Sequence, residues 1–291
     1  MSIEIKKCAV LGAGVMGAQI AGHIANAGIP SLLYDINDDL AKKGVEGLTK
    51  LKPAPLFSSK NSSLITPCTY DNDLEKLNDC DLIIEAVAEK IEIKHSVYKS
   101  LLPHLKDDAI LASNTSGIPL ANLVEVLPDE VQSRFLISHF FNPPRYLRLL
   151  ELVKGPKTSD EVYHTVTEFG ETTLGKGIVH AKDTPGFIGN RLINASGPLT
   201  FHKAMEFGLS VEDVDALSGT LIGNAKSAYF RTQDVVGLDT ALNVMNNMYD
   251  RVTTESEEER QKFKAPDLLV KLVEDGRLGQ KSGQGWYKKE G

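Results

Sequence analysis

The chain has 291 residues, enough for two cores, and its 42% hydrophobic and 24% charged residues are the balance of a folded globular protein. A net charge of -7 argues against a nucleic-acid or anionic-membrane surface, and no apolar run reaches the length needed to cross a bilayer. Three cysteines (Cys8, Cys68, Cys80) stand in no metal-ligand spacing, so neither a metal site nor a disulfide framework is expected.

Strand and helix signals alternate through the first half, the pattern of a mostly parallel, doubly wound α/β sheet of the Rossmann type. KCAVLG, from Lys7, predicts a buried strand, and Gly14 to Ala27 a helix of small residues closed by Gly28 with Pro30 beyond. SLLYD predicts a second strand ending at Asp35, followed by a helix over Asp38 to Lys50 and a polar surface loop, LKPAPLFSSKNSS. Further strands are expected at DLIIEAV, AILAS and RFLISHF, and LRLLELV reads as one running against them. Near Asp183 the character changes. Thr184 suits a helix cap and Pro185 its first turn, and helical periodicity then dominates. The expected division is a sheet domain over 1–183 and a smaller all-helical domain over 184–291.

Gly12-Ala13-Gly14-Val15-Met16-Gly17 leaves a strand and opens a helix, the context a dinucleotide turn requires. Gly12 permits the tight turn, Gly14 lets the backbone approach a pyrophosphate, and Gly17 lets the helix pack closely on the sheet. Asp35, ending the next strand, suits a ribose 2'-hydroxyl and repels a 2'-phosphate, which favours NAD over NADP. The later strands run into Asn114-Thr115-Ser116-Gly117, His139 and Asn142, polar residues expected where ligands bind, at the carboxyl ends of the strands.

Glu151 is the acid in an otherwise apolar run, and a histidine on the neighbouring strand would partner it. Taking a proton from an alcohol while a hydride leaves suits histidine, and a carboxylate on the far nitrogen would hold the ring. Ser116 and Asn190 are donors suited to fixing a substrate oxygen. Each residue also has a plain structural reading: a satisfied histidine, an edge acid, turn residues, a polar helix face. The residues alone point to an NAD-dependent oxidoreductase.

The motifs VLGAGVMGAQIA, SNTS, HFFNPP, LLELV, KDTPGFIGNR, DVVGLD and KSGQGWYK, in this order, resemble the 3-hydroxyacyl-CoA dehydrogenases of fatty-acid β-oxidation. The resemblance implies oxidation of an L-3-hydroxyacyl-CoA with NAD, His139 as base and Glu151 as its partner. It implies that Ser116 touches substrate and nicotinamide, that Asn190 places the substrate, and that Glu89, Lys94, Asn142 and Lys281 contact the cofactor. It also implies an acyl-CoA partner and a homodimer formed through the helical domain. LIGNAKSAYFRTQDVVGLD lacks the family's common Pro-Met-Gly-Pro turn and is similar to the dehydrogenase portion of bacterial multifunctional β-oxidation proteins. The segment from Gly47 to Ser63 does not preserve the family's CoA contacts. With no leader pattern at its start, the chain is expected in the cytoplasm, or in the mitochondrial matrix for a chain whose transit peptide has been removed. A non-catalytic NAD-binding scaffold, and a dehydrogenase of a free hydroxy acid, are the competing readings.

Overall fold

The computed structural model describes residues 4–253 and 256–288, which divide into two compact units between Phe187 and Ile188. The first carries an eight-stranded sheet. Its strands are β1 (Cys8–Leu11), β2 (Ser31–Asp35), β3 (Ile65–Thr69), β4 (Leu82–Glu85), β5 (Ile110–Ser113), β6 (Phe135–Phe140), β7 (Leu149–Lys154) and β8 (Gly177–Ala181). Their spatial order is β3-β2-β1-β4-β5-β6-β7-β8. The strands from β3 to β6 are parallel, β7 runs antiparallel to β6, and β8 is parallel to β7. The chain reverses its direction of travel across the sheet between β1 and β4, the switch point where this architecture opens a crevice.

The helices of this unit are α1 (Val15–Asn26), α2 (Asp38–Gly47), α3 (Ile91–Leu101), α4 (Leu120–Val124), α5 (Asp129–Gln132) and α6 (Asp160–Glu168). Asn37 caps α2 by accepting from the Leu40 backbone N–H at 2.9 Å, with Asp38 and Asp39 in the first turn facing the positive end of the helix. Alternation of side chains across the strands makes two cores. One face packs Val10, Leu33, Ile84, Ala112 and Leu136 against α1 and α6; the other packs Leu11, Ile83, Leu111, Ile137 and Val153 with Tyr98 and Leu101 of α3.

Two strands escape the sequence pattern. β3 carries Pro67 at its centre and the reading from sequence passed over it; it forms an edge of the sheet, where one row of backbone groups needs no partner. β8 forms the other edge, half-exposed on both faces, and so lacks an alternating apolar signature. The helix expected to Lys50 gives way after Gly47 to turns.

The second unit is helical: α7 (Gly189–Glu206), α8 (Val211–Ser218), α9 (Phe230–Val236), α10 (Leu238–Arg251), α11 (Glu257–Gln261) and α12 (Asp267–Glu274). α7 starts later than Thr184 and Pro185 suggest. Gly186 and Phe187 have φ of 72° and 47°, left-handed values that no α-helix passes through. Buried Asp234 of α9 accepts from the backbone N–H groups of Trp286 (2.8 Å) and Tyr287 (3.0 Å). A Cβ on Gly285 would stand 2.0 Å from Asp234 Oδ1, so DVVGLD and KSGQGWYK are two halves of one lock. No helix among the described residues is long and apolar enough to cross a membrane.

Candidate active site at the carboxyl rim of the sheet

Leu11, Glu85 and Ser113 lie side by side in register on β1, β4 and β5, with Ser113 opposite Ile137 of β6. On one face of the sheet, the apolar rows Ile83, Leu111 and Ile137 each end in a polar residue: Glu85, Ser113 and His139. Chemistry is therefore confined to the rim, with a packed core below it.

The glycine turn follows β1. A Cβ on Gly12, whose φ is 101°, would meet Ala86 O at 2.7 Å, and one on Gly17 would meet Gly12 O at 1.8 Å. A Cβ on Gly14 would meet nothing within 4 Å. Two glycines are thus required by the fold, and the third leaves open space above the start of α1. That helix has no side-chain cap and no acid in its first turn, so its leading N–H groups around Val15 and Met16 suit an anion. Asp35 holds the turn from the side: Oδ2 accepts from Ala13 N at 2.8 Å and Oδ1 from Ile36 N at 2.7 Å. Open backbone, an uncapped helix end and a strand-terminal carboxylate fit a dinucleotide pyrophosphate and its ribose.

His139 is 5% exposed and Glu151 fully buried. They are direct cross-strand partners on β6 and β7, and His139 Nδ1 donates to Glu151 Oε2 at 2.8 Å. A carboxylate only accepts here, which fixes the tautomer and leaves Nε2 as the ring's basic nitrogen. Phe141 and Phe187 pack on the imidazole with ring centroids 4.5 and 5.6 Å away.

Between the glycine turn and His139 lies a network that the strand pattern concealed. Buried Glu85 receives Lys94 Nζ (2.7 Å) and Val87 N (2.9 Å) on Oε1, and Tyr98 OH (2.9 Å) and Ser113 Oγ (2.7 Å) on Oε2. Lys94, 1% exposed, also reaches Glu89 at 3.2 Å. Glu89 Oε1 accepts from Thr115 Oγ1 at 2.5 Å and from Ser116 N and Oγ at 2.9 and 3.3 Å. Burial pushes the Glu89 carboxyl up, but the Lys94 ammonium and these donors outweigh it and hold it below the usual range. Glu85 was read only as part of an apolar strand. The available signal was an acid closing that strand, followed by Lys94 and Tyr98 one helical turn apart.

The remaining expected residues are dispersed. Asn142 is exposed after β6, where Oδ1 accepts from Gln19 Nε2 at 3.3 Å, while Asn114 Oδ1 accepts from Phe140 N at 2.9 Å and ties the ends of β5 and β6. Asn190 and Lys281 belong to the helical unit. Asn190 is half-buried in the first turn of α7, and Lys281 Nζ donates to both oxygens of Asp239 at 2.5 and 2.7 Å. Among the described residues no group of three or more His, Cys, Asp or Glu is placed to hold a metal ion.

Residues 7–184 match the NAD binding domain of 3-hydroxyacyl-CoA dehydrogenase, and residues 186–289 its C-terminal domain. A Bacillus subtilis protein named as a 3-hydroxyacyl-CoA dehydrogenase is 44% identical over the whole chain, which spans 39% of that relative's length. A Deinococcus radiodurans protein of the same description is 43% identical, covering 99% of this chain and 84% of its own. The solved structure of (S)-3-hydroxybutyryl-CoA dehydrogenase PaaH1 from Ralstonia eutropha superposes with a TM-score of 0.82 at 29% identity, covering 99% of this chain and 100% of the other.

Proposed function

The chain belongs to the 3-hydroxyacyl-CoA dehydrogenase family, and on that premise we propose that it oxidises an (S)-3-hydroxyacyl-CoA to the 3-ketoacyl-CoA, with His139 as base. The carrying observation is the buried 2.8 Å bond between His139 and Glu151 on the rim that also bears the glycine turn. Nε2 of His139 takes the proton of the 3-hydroxyl, and Glu151 stabilises the imidazolium that forms. Bound NAD supplies the acceptor for the hydride leaving C3. Gly12, Ala13, Gly14, Val15, Met16 and Gly17 hold its pyrophosphate by backbone N–H groups and close approach, and Asp35 takes the ribose. Glu89, Lys94, Ser116 and Asn142 line its nicotinamide side. Ser116 also donates to the substrate oxygen, Asn190 helps to place the substrate, and Lys281 contacts the cofactor.

The domain division expected near Asp183 lies a few residues before the boundary between the two compact units, Phe187 to Ile188. The helical domain pairs with a second copy: Leu192, Ile193, Leu199, Phe207, Leu221 and Ile222 are large apolar side chains left exposed there. The 39% span of the Bacillus relative suits a dehydrogenase module of a larger β-oxidation protein. A cytoplasmic setting suits three buried, unbridged cysteines.

The deciding experiment follows NADH absorbance on L- and D-3-hydroxyacyl-CoAs of several lengths, with NAD and NADP compared. Turnover confined to the L series with NAD is expected. NAD binding without turnover on any acyl-CoA would leave a scaffold, and indifference to competing free CoA would point to a free hydroxy acid.

A further inference from the structure

Glu85 is sealed from solvent at the end of β4, beside the switch point, where Ala86 O and Val87 press against Gly12. Four donors converge on it, the set an ionised carboxylate takes. Through Lys94 it is coupled to Glu89, and through Glu89 to Ser116. Two carboxylates thus share one ammonium, and Lys94 offsets only one of them. The charge left over falls on Glu89, whose side chain is 33% exposed at the rim, so it acts at short range on a ligand lying against it.

We propose that Glu85 is a positioning and charge-setting residue that biases this rim toward the oxidised cofactor. Its carboxylate holds Lys94 and leaves the Glu85–Lys94–Glu89 triad with one net negative charge, which favours the cationic oxidised nicotinamide over the neutral reduced ring. Glu85 exerts this effect without touching the ligand, because Lys94 and Glu89 stand between it and the crevice. The bias lowers the release of unreacted NAD relative to that of NADH. The inference rests on the nicotinamide lying beside Glu89 and Ser116, as in the function proposed above.

The test measures Kd for NADH by fluorescence and for NAD by competition, in the wild type and in Glu85→Gln, Glu85→Asp and Lys94→Gln. Glu85→Gln removes the net charge and should raise the ratio Kd(NAD)/Kd(NADH) by about three- to tenfold. Glu85→Asp keeps the charge and should keep the ratio, even where both affinities fall. Lys94→Gln adds negative charge and should move the ratio the opposite way. A purely structural role would weaken both cofactors by one factor, so equal changes in Glu85→Gln, or a shift of the same sign in both Gln variants, overturns the inference. Should Glu85→Gln fail to fold, the sign of the Lys94→Gln shift decides. Absence of NAD binding by the wild type would instead sink the function proposed above.

Discussion

Nδ1 of His139 and Oε2 of Glu151 meet at 2.8 Å because the antiparallel turn from β6 to β7 sets the two residues opposite each other on one face. Paired positions on neighbouring strands have side chains within direct reach, so two buried polar groups satisfy each other. Replacing His139 with Gln should lower turnover by about 10²-fold or more while NAD still binds. Glu151→Gln should slow the reaction as well, by removing the charge that supports the imidazolium. Near wild-type rates in His139→Gln would remove the imidazole from the chemistry.

The glycine turn separates fold from ligand cleanly. Gly14→Ala meets no protein atom within 4 Å, so its melting temperature should match the wild type while NAD affinity falls. In Gly17→Ala the new carbon would lie 1.8 Å from a backbone oxygen, and the protein should lose stability along with binding. Equal melting temperatures for both variants would contradict the packing described here.

Asp35 should set the preference for NAD. Asp35→Asn keeps an oxygen to accept from Ala13 N but lifts the repulsion of a 2'-phosphate. Discrimination against NADP should fall by roughly tenfold, measured as the ratio of kcat/KM values. An unchanged ratio would place selectivity elsewhere.

Acid should destabilise the fold through His23. Burial, and next the nearby Lys176 charge, lower its pKa from 6.5 to about 4, while Nε2 donates to Leu174 O at 3.0 Å. The unfolded chain therefore binds the proton more readily, and stability is full above pH 6.5 and lost as pH falls toward 4. The loss is about 3 kcal/mol at most. His23→Gln, which keeps a donor and does not titrate, should flatten this part of the denaturation profile. An identical pH slope in the variant would exclude His23 as the source.

Much of this was legible in the sequence where a local rule had no competitor. The β1 turn, Asp35 and the β6–β7 pairing all follow from spacing and from an acid stranded in an apolar run. β3 was hidden by Pro67, whose penalty applies to central strands and not to this edge. β8 was hidden because edge strands bury neither face fully. Glu85 was passed over for a different reason: the acid closing β4 and the Lys94–Tyr98 spacing were present, but its partners come from two other elements, α3 and β5, and no single local pattern records their convergence.

The exposed apolar side chains of the helical unit predict self-association. Sedimentation should give a dimer, and Leu199→Glu, at a side chain 55% exposed, should shift it toward monomer without lowering the melting temperature of the monomeric form. A monomer in the wild type at micromolar concentration would refute the pairing.

The Asp234 lock has a consequence for synthesis on the ribosome. Every residue of the sheet unit has been made by position 187, so that unit is free to fold as soon as it clears the exit tunnel. The helical unit must wait, because α9 has no partners for its buried carboxylate until Trp286 and Tyr287 emerge. Nascent chains halted before that point should hold a protease-resistant amino-terminal sheet unit attached to helices still open to cleavage.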